Sequence, residues 1–186
     1  MQPNPMGDSP LLVMIDVQRE YATPGRPFYL KEMASSLENC RRLLAHARSC
    51  SWPVAHVRHI QDGQLFNGAL PYSRFIQGFE PKPDEMVFTK GNLSCYSNDE
   101  FSRLMRVASG ERIYIAGYNS LMCCLSTIVE GFHRGQRLTF VSDASLARAT
   151  KHADELEAHV HATDIISIYA EVVNTADVIS ESRQAA

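Results

Sequence analysis

The segment "PLLVMIDV", residues 10–17, restricts the fold more than any other: it is a short, continuous apolar run that ends in an acid. A strand with one wet face alternates apolar and polar residues. A strand covered on both faces reads as an unbroken apolar run, as in a parallel sheet. Parallel neighbours need crossover connections, so helices are expected between such strands.

The chain supplies them. "WPVAHVRHI" (52–60), "DEMVFTK" (84–90), "RIYIAGY" (112–118) and "RLTFVSDA" (137–144) read as further strands. "EVVNTADVIS" (171–180) reads as a last short strand and a stub. Residues 30–50 carry an apolar helical stripe at Met33, Leu37, Leu43 and Leu44. Residues 97–110 begin with cap-type residues and end at Gly110, as a helix does. Two more helices are expected at 121–135 and 150–170. The stretch 61–85, rich in Gly, Pro and Asn, reads as a long loop, and loops of that length are usually functional or mobile. Strands alternating with helices predict a three-layer α/β/α fold around a mostly parallel six-stranded sheet. The expected organisation is one domain over 1–186, with a flexible tail at 1–9.

Composition narrows the class. The chain is 45% hydrophobic and 21% charged, ordinary values for a globular protein. A net charge of −3 gives no footprint for nucleic acid or an anionic membrane. The first ten residues lack a basic segment followed by an apolar one, so no signal peptide is expected. No apolar run has the length of a membrane span. Five cysteines, at 40, 50, 95, 123 and 124, are an odd number without metal-finger spacing. Reduced thiols in a cytoplasmic protein are the expectation.

Three polar residues stand out by position: Asp16, Lys90 and, just beyond its strand, Cys123. All fall at the carboxyl ends of strands, the edge where open α/β sheets bind ligands. Cys123 suits a nucleophile, its thiolate favoured by a helix N-terminus. Asp16 suits a general base, and Lys90 a cation that holds Asp16 ionised and orients the pair. Backbone N–H groups in the turn before Cys123 are placed to receive an oxyanion. Each residue also has a plainer role: a turn-forming Asp, a surface Lys, a core Cys. Only their shared edge favours chemistry.

Three segments in order resemble the isochorismatase-like cysteine hydrolases. "LLVMIDVQREY" is similar to the opening strand and Asp-x-Gln motif of that superfamily. "FTKGNLSCYSNDEF" resembles its Lys segment. "IYIAGYNSLMCCLSTIVEGFHRGQRLTFVSDA" resembles its Gly-x-x-Thr-Asp-x-Cys-x-x-x-Thr stretch and the strand that follows. The resemblance runs from about residue 10 to about 180 and assigns the nucleophile to Cys123, six past Gly117 and four before Thr127. Cys124 then takes a packing position. The family carries a cis peptide that maps to Tyr118–Asn119, which implies an oxyanion hole of the Asn119 and Cys123 N–H groups.

The resemblance implies hydrolysis of a small amide or carbamoyl compound through a thioester, with no cofactor, and a homodimer or homotetramer. Vinyl-ether hydrolysis of the isochorismatase type and a non-catalytic small-molecule-binding role are the alternatives. A thiol-redox sensor is disfavoured, since the chain has no Cys-x-x-Cys. Departures from the pattern are Ser120-Leu121 for Thr-Asp and Arg19-Glu20-Tyr21 for Asn-Asp-Phe. Leu121 is expected to make one pocket wall less polar. Tyr21, Phe28, Tyr118 and Leu121 are the expected walls, with Arg19 or Arg26 as partners for a substrate carboxylate. His56 and His59 lie three apart on a strand and face opposite sides, so no metal site is expected; His56 is read as buried and His59 as a loop residue at the pocket rim.

Overall fold

The computed structural model describes residues 9–184, so the tail expected at 1–9 falls outside the described residues except for Ser9. In chain order the elements are β1 (Leu11–Ile15), α1 (Arg19–Ala22), α2 (Ala34–Ser49), β2 (Val54–His59), β3 (Met86–Lys90) and α3 (Asp99–Val107). Then come β4 (Ile113–Tyr118), α4 (Leu125–His133), β5 (Leu138–Leu146), α5 (Glu155–Ile166), β6 (Glu171–Val173) and α6 (Thr175–Gln184). The strands form one six-stranded sheet in the order β3-β2-β1-β4-β5-β6, and every neighbouring pair is parallel. Helices cover both faces, giving the three-layer α/β/α architecture of the expectation.

β1 shows why its residues are apolar throughout. Leu12 and Met14 pack into the core beneath α2, while Leu11, Val13 and Ile15 pack into the core beneath α3 and α4. Successive side chains of a strand point to opposite faces, so a central strand must be apolar at every position. Full burial of each such side chain contributes about 1.5–3 kcal/mol. No helix among the described residues is long and apolar enough to cross a membrane.

Helix starts follow side-chain chemistry. Asn98 caps α3 by accepting from the Phe101 N–H at 2.9 Å. Asp154 caps α5 in a reciprocal box with Glu157, so this helix begins at Glu155 rather than at the expected 150. The stub expected after β6 is the ten-residue helix α6. A half-buried residue within β5 starts it: Asp143 Oδ1 accepts from both the N–H and the hydroxyl of Thr175 at 2.8 Å. That cap lies 32 residues away in sequence, so local pattern does not reveal it.

The chain runs β1, β2, β3 toward one edge, then returns to the other side of β1 with β4. The crevice of such a sheet opens where the order reverses, at the carboxyl ends of β1 and β4. Gly117 makes that junction tight. It has φ of +107°, and a Cβ there would lie 2.1 Å from the Ile15 carbonyl oxygen.

Candidate active site

Asp16 follows β1 directly and has a φ of 50°, the left-handed region that Asp tolerates better than most residues. Lys90 ends β3, the edge strand, two strands away. That offset is about 9.5 Å at ordinary strand spacing. Lys90 spans it lying over the end of β2, and its Nζ reaches Asp16 Oδ2 at 2.8 Å. The same Nζ lies 3.3 Å from Cys123 Sγ, 3.2 Å from the Asn92 carbonyl and 3.2 Å from His59 Nδ1. Asp16 and Lys90 are fully buried in their side chains, and Cys123 is 4% exposed.

Cys123 sits in a π-helical turn, Ser120–Cys124, that precedes α4. The Cys124 N–H reaches back five residues to the Asn119 carbonyl at 3.1 Å. The peptide bond Tyr118–Asn119 is cis. The Asn119 N–H has no acceptor among the described residues. Ser120 is held from outside: its hydroxyl lies 2.9 Å from Nδ1 of His159 on α5, a ring that burial keeps in its neutral form by lowering its pKa.

The charge balance differs from the expectation. A helix N-terminus was expected to favour a Cys123 thiolate, but α4 begins at Leu125 and the widened turn intervenes. Burial first, and the Asp16 carboxylate second, push the Cys123 thiol well above its ordinary value; Lys90 pulls the other way without prevailing. Burial also works against the Lys90 ammonium, but Asp16 and Cys123 outweigh it and hold Lys90 protonated beyond the ordinary lysine range. The resting arrangement is therefore a thiol beside a buried ion pair.

A cavity of about 210 Å³ opens onto this cluster, lined by Tyr21, Phe28, Phe66, Leu93 and Met122 on apolar sides and by His59, Gln61 and Asn92 on polar ones. Cys123 forms part of its floor. The volume is below the range of about 300–1,000 Å³ typical of drug-sized ligands, so the site suits a small molecule. A larger hollow of about 860 Å³ lies at the amino-terminal edge of β4 and β5, but none of Asp16, Lys90 or Cys123 lines it.

Tyr21 and Phe28 line the cavity, whereas Tyr118 and Leu121 do not. Tyr118 points into the core beneath α2, where its hydroxyl meets Ser36 Oγ at 3.0 Å and its ring backs Tyr21 at 5.7 Å. The extra residue in the π turn presents Met122 to the cavity, so the neighbouring Leu121 is only half-buried and off its wall.

Neither arginine faces the cavity. Arg26 is bound by both oxygens of the buried Glu20, at 3.0 and 3.1 Å, and by the Gln64 carbonyl. Arg19 donates to the Phe75 carbonyl. The Arg19-Glu20-Tyr21 departure thus builds an internal ion pair and places Tyr21 in the wall. A cation does stack on one wall residue: the Arg148 guanidinium lies 4.7 Å over the Phe28 ring, although Arg148 does not itself line the cavity. It is exposed and has no carboxylate partner among the described residues.

The two histidines do part to opposite faces. His56 Nε2 meets Glu85 at 2.8 Å, away from the cluster. His59 is no loop residue: it ends β2, is 7% exposed and touches Lys90. Its position at a strand's carboxyl end is the same signal that singled out Asp16 and Lys90. Cys124 is buried against the Gly117 carbonyl at 3.6 Å. All five cysteines are free.

The structure gathers a Cys, an Asp and a Lys at the switch point of a parallel three-layer α/β/α sheet, and the comparisons give the family of the chain. The isochorismatase domain family matches residues 10–177, and the chain belongs to that family of isochorismatase-like cysteine hydrolases. It is 26% identical over 196 residues to maleamate amidohydrolase of Pseudomonas putida, covering 97% of this chain and 90% of that one. The crystal structure of an isochorismatase from Pseudomonas putida KT2440 superposes with a TM-score of 0.79 at 28% identity, over 91% of this chain and 90% of the other. A cysteine hydrolase from Pseudomonas syringae shares the fold, with a TM-score of 0.81 at 24% identity over 95% and 93%. Family membership supports hydrolysis of small-molecule C–N bonds in general.

Proposed function

We propose that the protein is a cysteine amidohydrolase that cleaves the terminal C–N bond of a small amide or carbamoyl compound carrying a carboxylate. The observation that carries this reading is the single ammonium of Lys90 shared between Asp16 and Cys123 on the floor of a small cavity.

The chemistry follows from the three groups. Cys123 Sγ attacks the substrate carbonyl carbon as its proton passes to Asp16, so no free thiolate is needed beforehand. The carbonyl π electrons move to oxygen, and the N–H groups of Asn119 and Cys123 receive the oxyanion. The tetrahedral intermediate collapses, the C–N bond breaks, and Asp16 returns its proton to the leaving nitrogen, which departs as ammonia or an amine. Water then attacks the thioester while Asp16 takes its proton; the C–S bond breaks and the thiol recovers a proton. Lys90 stays charged throughout, stabilising the carboxylate and the negative charge that builds on sulfur.

Arg148 gives the reading its substrate class. Its guanidinium lies on Phe28, a cavity wall, with no carboxylate of its own to pair with. A planar guanidinium suits bidentate carboxylate recognition. A short amido acid such as maleamate, the substrate in the name of the Pseudomonas putida relative, fits a small cavity with a cation stacked on one of its wall residues.

The test is ammonia release from maleamate, carbamoyl amino acids, ureido acids and neutral primary amides, comparing wild type with Cys123→Ala. Release by wild type and none by the variant supports the reading. Equal release by both overturns it.

A further inference from the structure

Lys90 has four acceptors within reach, Asp16 Oδ2, Cys123 Sγ, the Asn92 carbonyl and His59 Nδ1. An ammonium has three protons to give. Where it leans is therefore set by its neighbours, and His59 is the side chain among them that the cysteine mechanism leaves without a task.

The imidazole is fixed on three sides. Gln18, the Gln of the Asp-x-Gln motif, is wholly buried and clamps the His59 backbone: its Oε1 accepts from the His59 N–H at 2.8 Å and its Nε2 donates to the His59 carbonyl at 3.0 Å. The third Gln18 bond, to the Ser73 carbonyl at 2.7 Å, anchors the clamp in the long loop. Phe66 packs edge-on against the ring at 5.2 Å. His59 Nε2 lies 2.9 Å from Gln61 Oε1, an acceptor, so the ring proton belongs on Nε2. Nδ1 then presents a lone pair to Lys90, which donates to it.

The location gives that lone pair its use. Lys90 leaves the edge strand β3 and lies over β2 to reach Asp16 after β1. His59 is the last residue of β2 and pairs with Lys90 in the ladder. The ring stands beneath the outstretched side chain midway along its path. The charged groups around this point are Lys90 from β3 and Asp16 beyond β1, with the Cys123 thiol from the turn beside them, and a protonated ring would face the ammonium with a like charge at 3.2 Å.

We propose that His59 is a positioning residue, whose Nδ1 lone pair holds the Lys90 ammonium between Asp16 and Cys123, with Gln18 and Gln61 fixing the ring. The proposal rests on the Cys123 reading for its kinetic consequences, while the Lys90–His59 contact stands apart from it. Without the His59 acceptor the ammonium settles on Asp16 and the Asn92 carbonyl, away from sulfur.

Two measurements test it. The first compares His59→Ala with His59→Asn, whose Oδ1 offers an acceptor near the place of Nδ1. Expected are a fall in kcat of about 10- to 100-fold for Ala, from loss of a buried bond to a charged group, and recovery to within about threefold of wild type for Asn. KM stays near wild type in both, since the ring acts through Lys90. Wild-type kcat in His59→Ala overturns the proposal, as does an equal loss in Ala and Asn variants with unchanged melting temperatures. The second measurement needs no turnover: nitrogen NMR of imidazole-labelled Cys123→Ala protein at pH 7. Expected is the neutral ring with its proton on Nε2 and an Nδ1 shift that changes in a Cys123→Ala, Lys90→Met double variant. A proton on Nδ1, or a spectrum indifferent to Lys90→Met, overturns the proposal whether or not the cysteine reading survives.

Discussion

The Lys90 ammonium and the Asp16 carboxylate meet at 2.8 Å with neither side chain exposed to solvent. A buried pair costs far more to break than to keep, because the surviving charge is left without compensation. Asp16→Asn is the informative variant, since Asn accepts the left-handed φ at this position. Turnover is expected to fall by about 10²- to 10⁴-fold with loss of the general base, with a stability loss of about 3–5 kcal/mol. Alkylation moves the other way. After burial, Asp16 is the largest influence raising the Cys123 pKa and Lys90 lowers it, so removing Asp16 takes away a raising influence while burial and the lowering one of Lys90 remain. Iodoacetamide should therefore modify Cys123 faster at pH 7 in the variant than in wild type, a slower or equal rate contradicting the charge balance.

The paired cysteines separate under substitution. Cys123 is on the cavity floor, whereas Cys124 is fully buried against Gly117 and Ser145. Cys124→Ala should keep kcat within a few-fold of wild type and cost about 1 kcal/mol in denaturant unfolding. Cys123→Ala should abolish ammonia release with little change in stability. Equal loss of activity in both variants would mean that the pair, rather than Cys123, is the working unit.

Arg148 offers a selective effect. Its guanidinium stacks on Phe28, a wall residue, and is not among the groups gathered at Cys123, so Arg148→Met should raise KM for carboxylate-bearing amides by about 10- to 100-fold at nearly constant kcat. Neutral primary amides should show no such change, because they have nothing for the guanidinium to bind. A uniform rise across both classes would instead point to a collapsed wall at Phe28.

Much of this was legible in the sequence because the signals are local or positional. Unbroken apolar runs give parallel strands, and the last residue of each run lands on the ligand edge, which brings Asp16 and Lys90 to one place. What stayed hidden depends on contacts distant in the chain. Arg26 looked available for substrate until Glu20 folded onto it, and α6 needed Asp143 from β5 to cap it. Leu121 looked like a wall because it stands where the family pattern has the Asp of Thr-Asp; the π turn presents Met122 instead. His59 met the strand-end criterion all along, yet was set aside as a metal ligand and read as a loop residue at the pocket rim.

Acid sensitivity should come from outside the site, at Glu85. Burial alone raises its pKa, but hydrogen bonds from Arg48, from the Lys82 N–H and from His56 outweigh that and hold it at about 2, against an ordinary 4.5. A depressed carboxylate contributes stability that is fully present above its unfolded pKa and lost as pH falls through the folded one, here between about 4.5 and 2. Glu85→Gln is expected to cost about 1–3 kcal/mol at pH 7, a fall in Tm of several degrees for a chain of this size. The gap from wild type should narrow as pH drops through that window. A gap that stays constant from pH 7 to 2 would show that the lost bonds, rather than the charge, account for the effect.

Among the glycines of the described residues, Gly117 leaves the least room for a Cβ, where β4 passes β1 on its way into the turn that carries Cys123. Two penalties coincide there. A φ of +107° is strained for any residue with a Cβ, and that Cβ would stand 2.1 Å from the Ile15 carbonyl oxygen and 2.8 Å from its nitrogen. Those neighbours are backbone of the central strand, so neither can move without breaking the β1–β4 ladder. Gly117→Ala is expected to cost more than about 4 kcal/mol, the range reserved for backbone strain and core disruption combined, and to leave little soluble folded protein. Gly135 serves as the control: it also has a positive φ, of +76°, but nothing lies within 4 Å of its Cβ position. Gly135→Ala should cost only the φ penalty, about 1–2 kcal/mol. Thermal melts of the two variants side by side measure the difference. Similar melting temperatures would mean that β4 can move away from β1, and that the turn bearing Cys123 is not rigidly fixed to the end of the central strand.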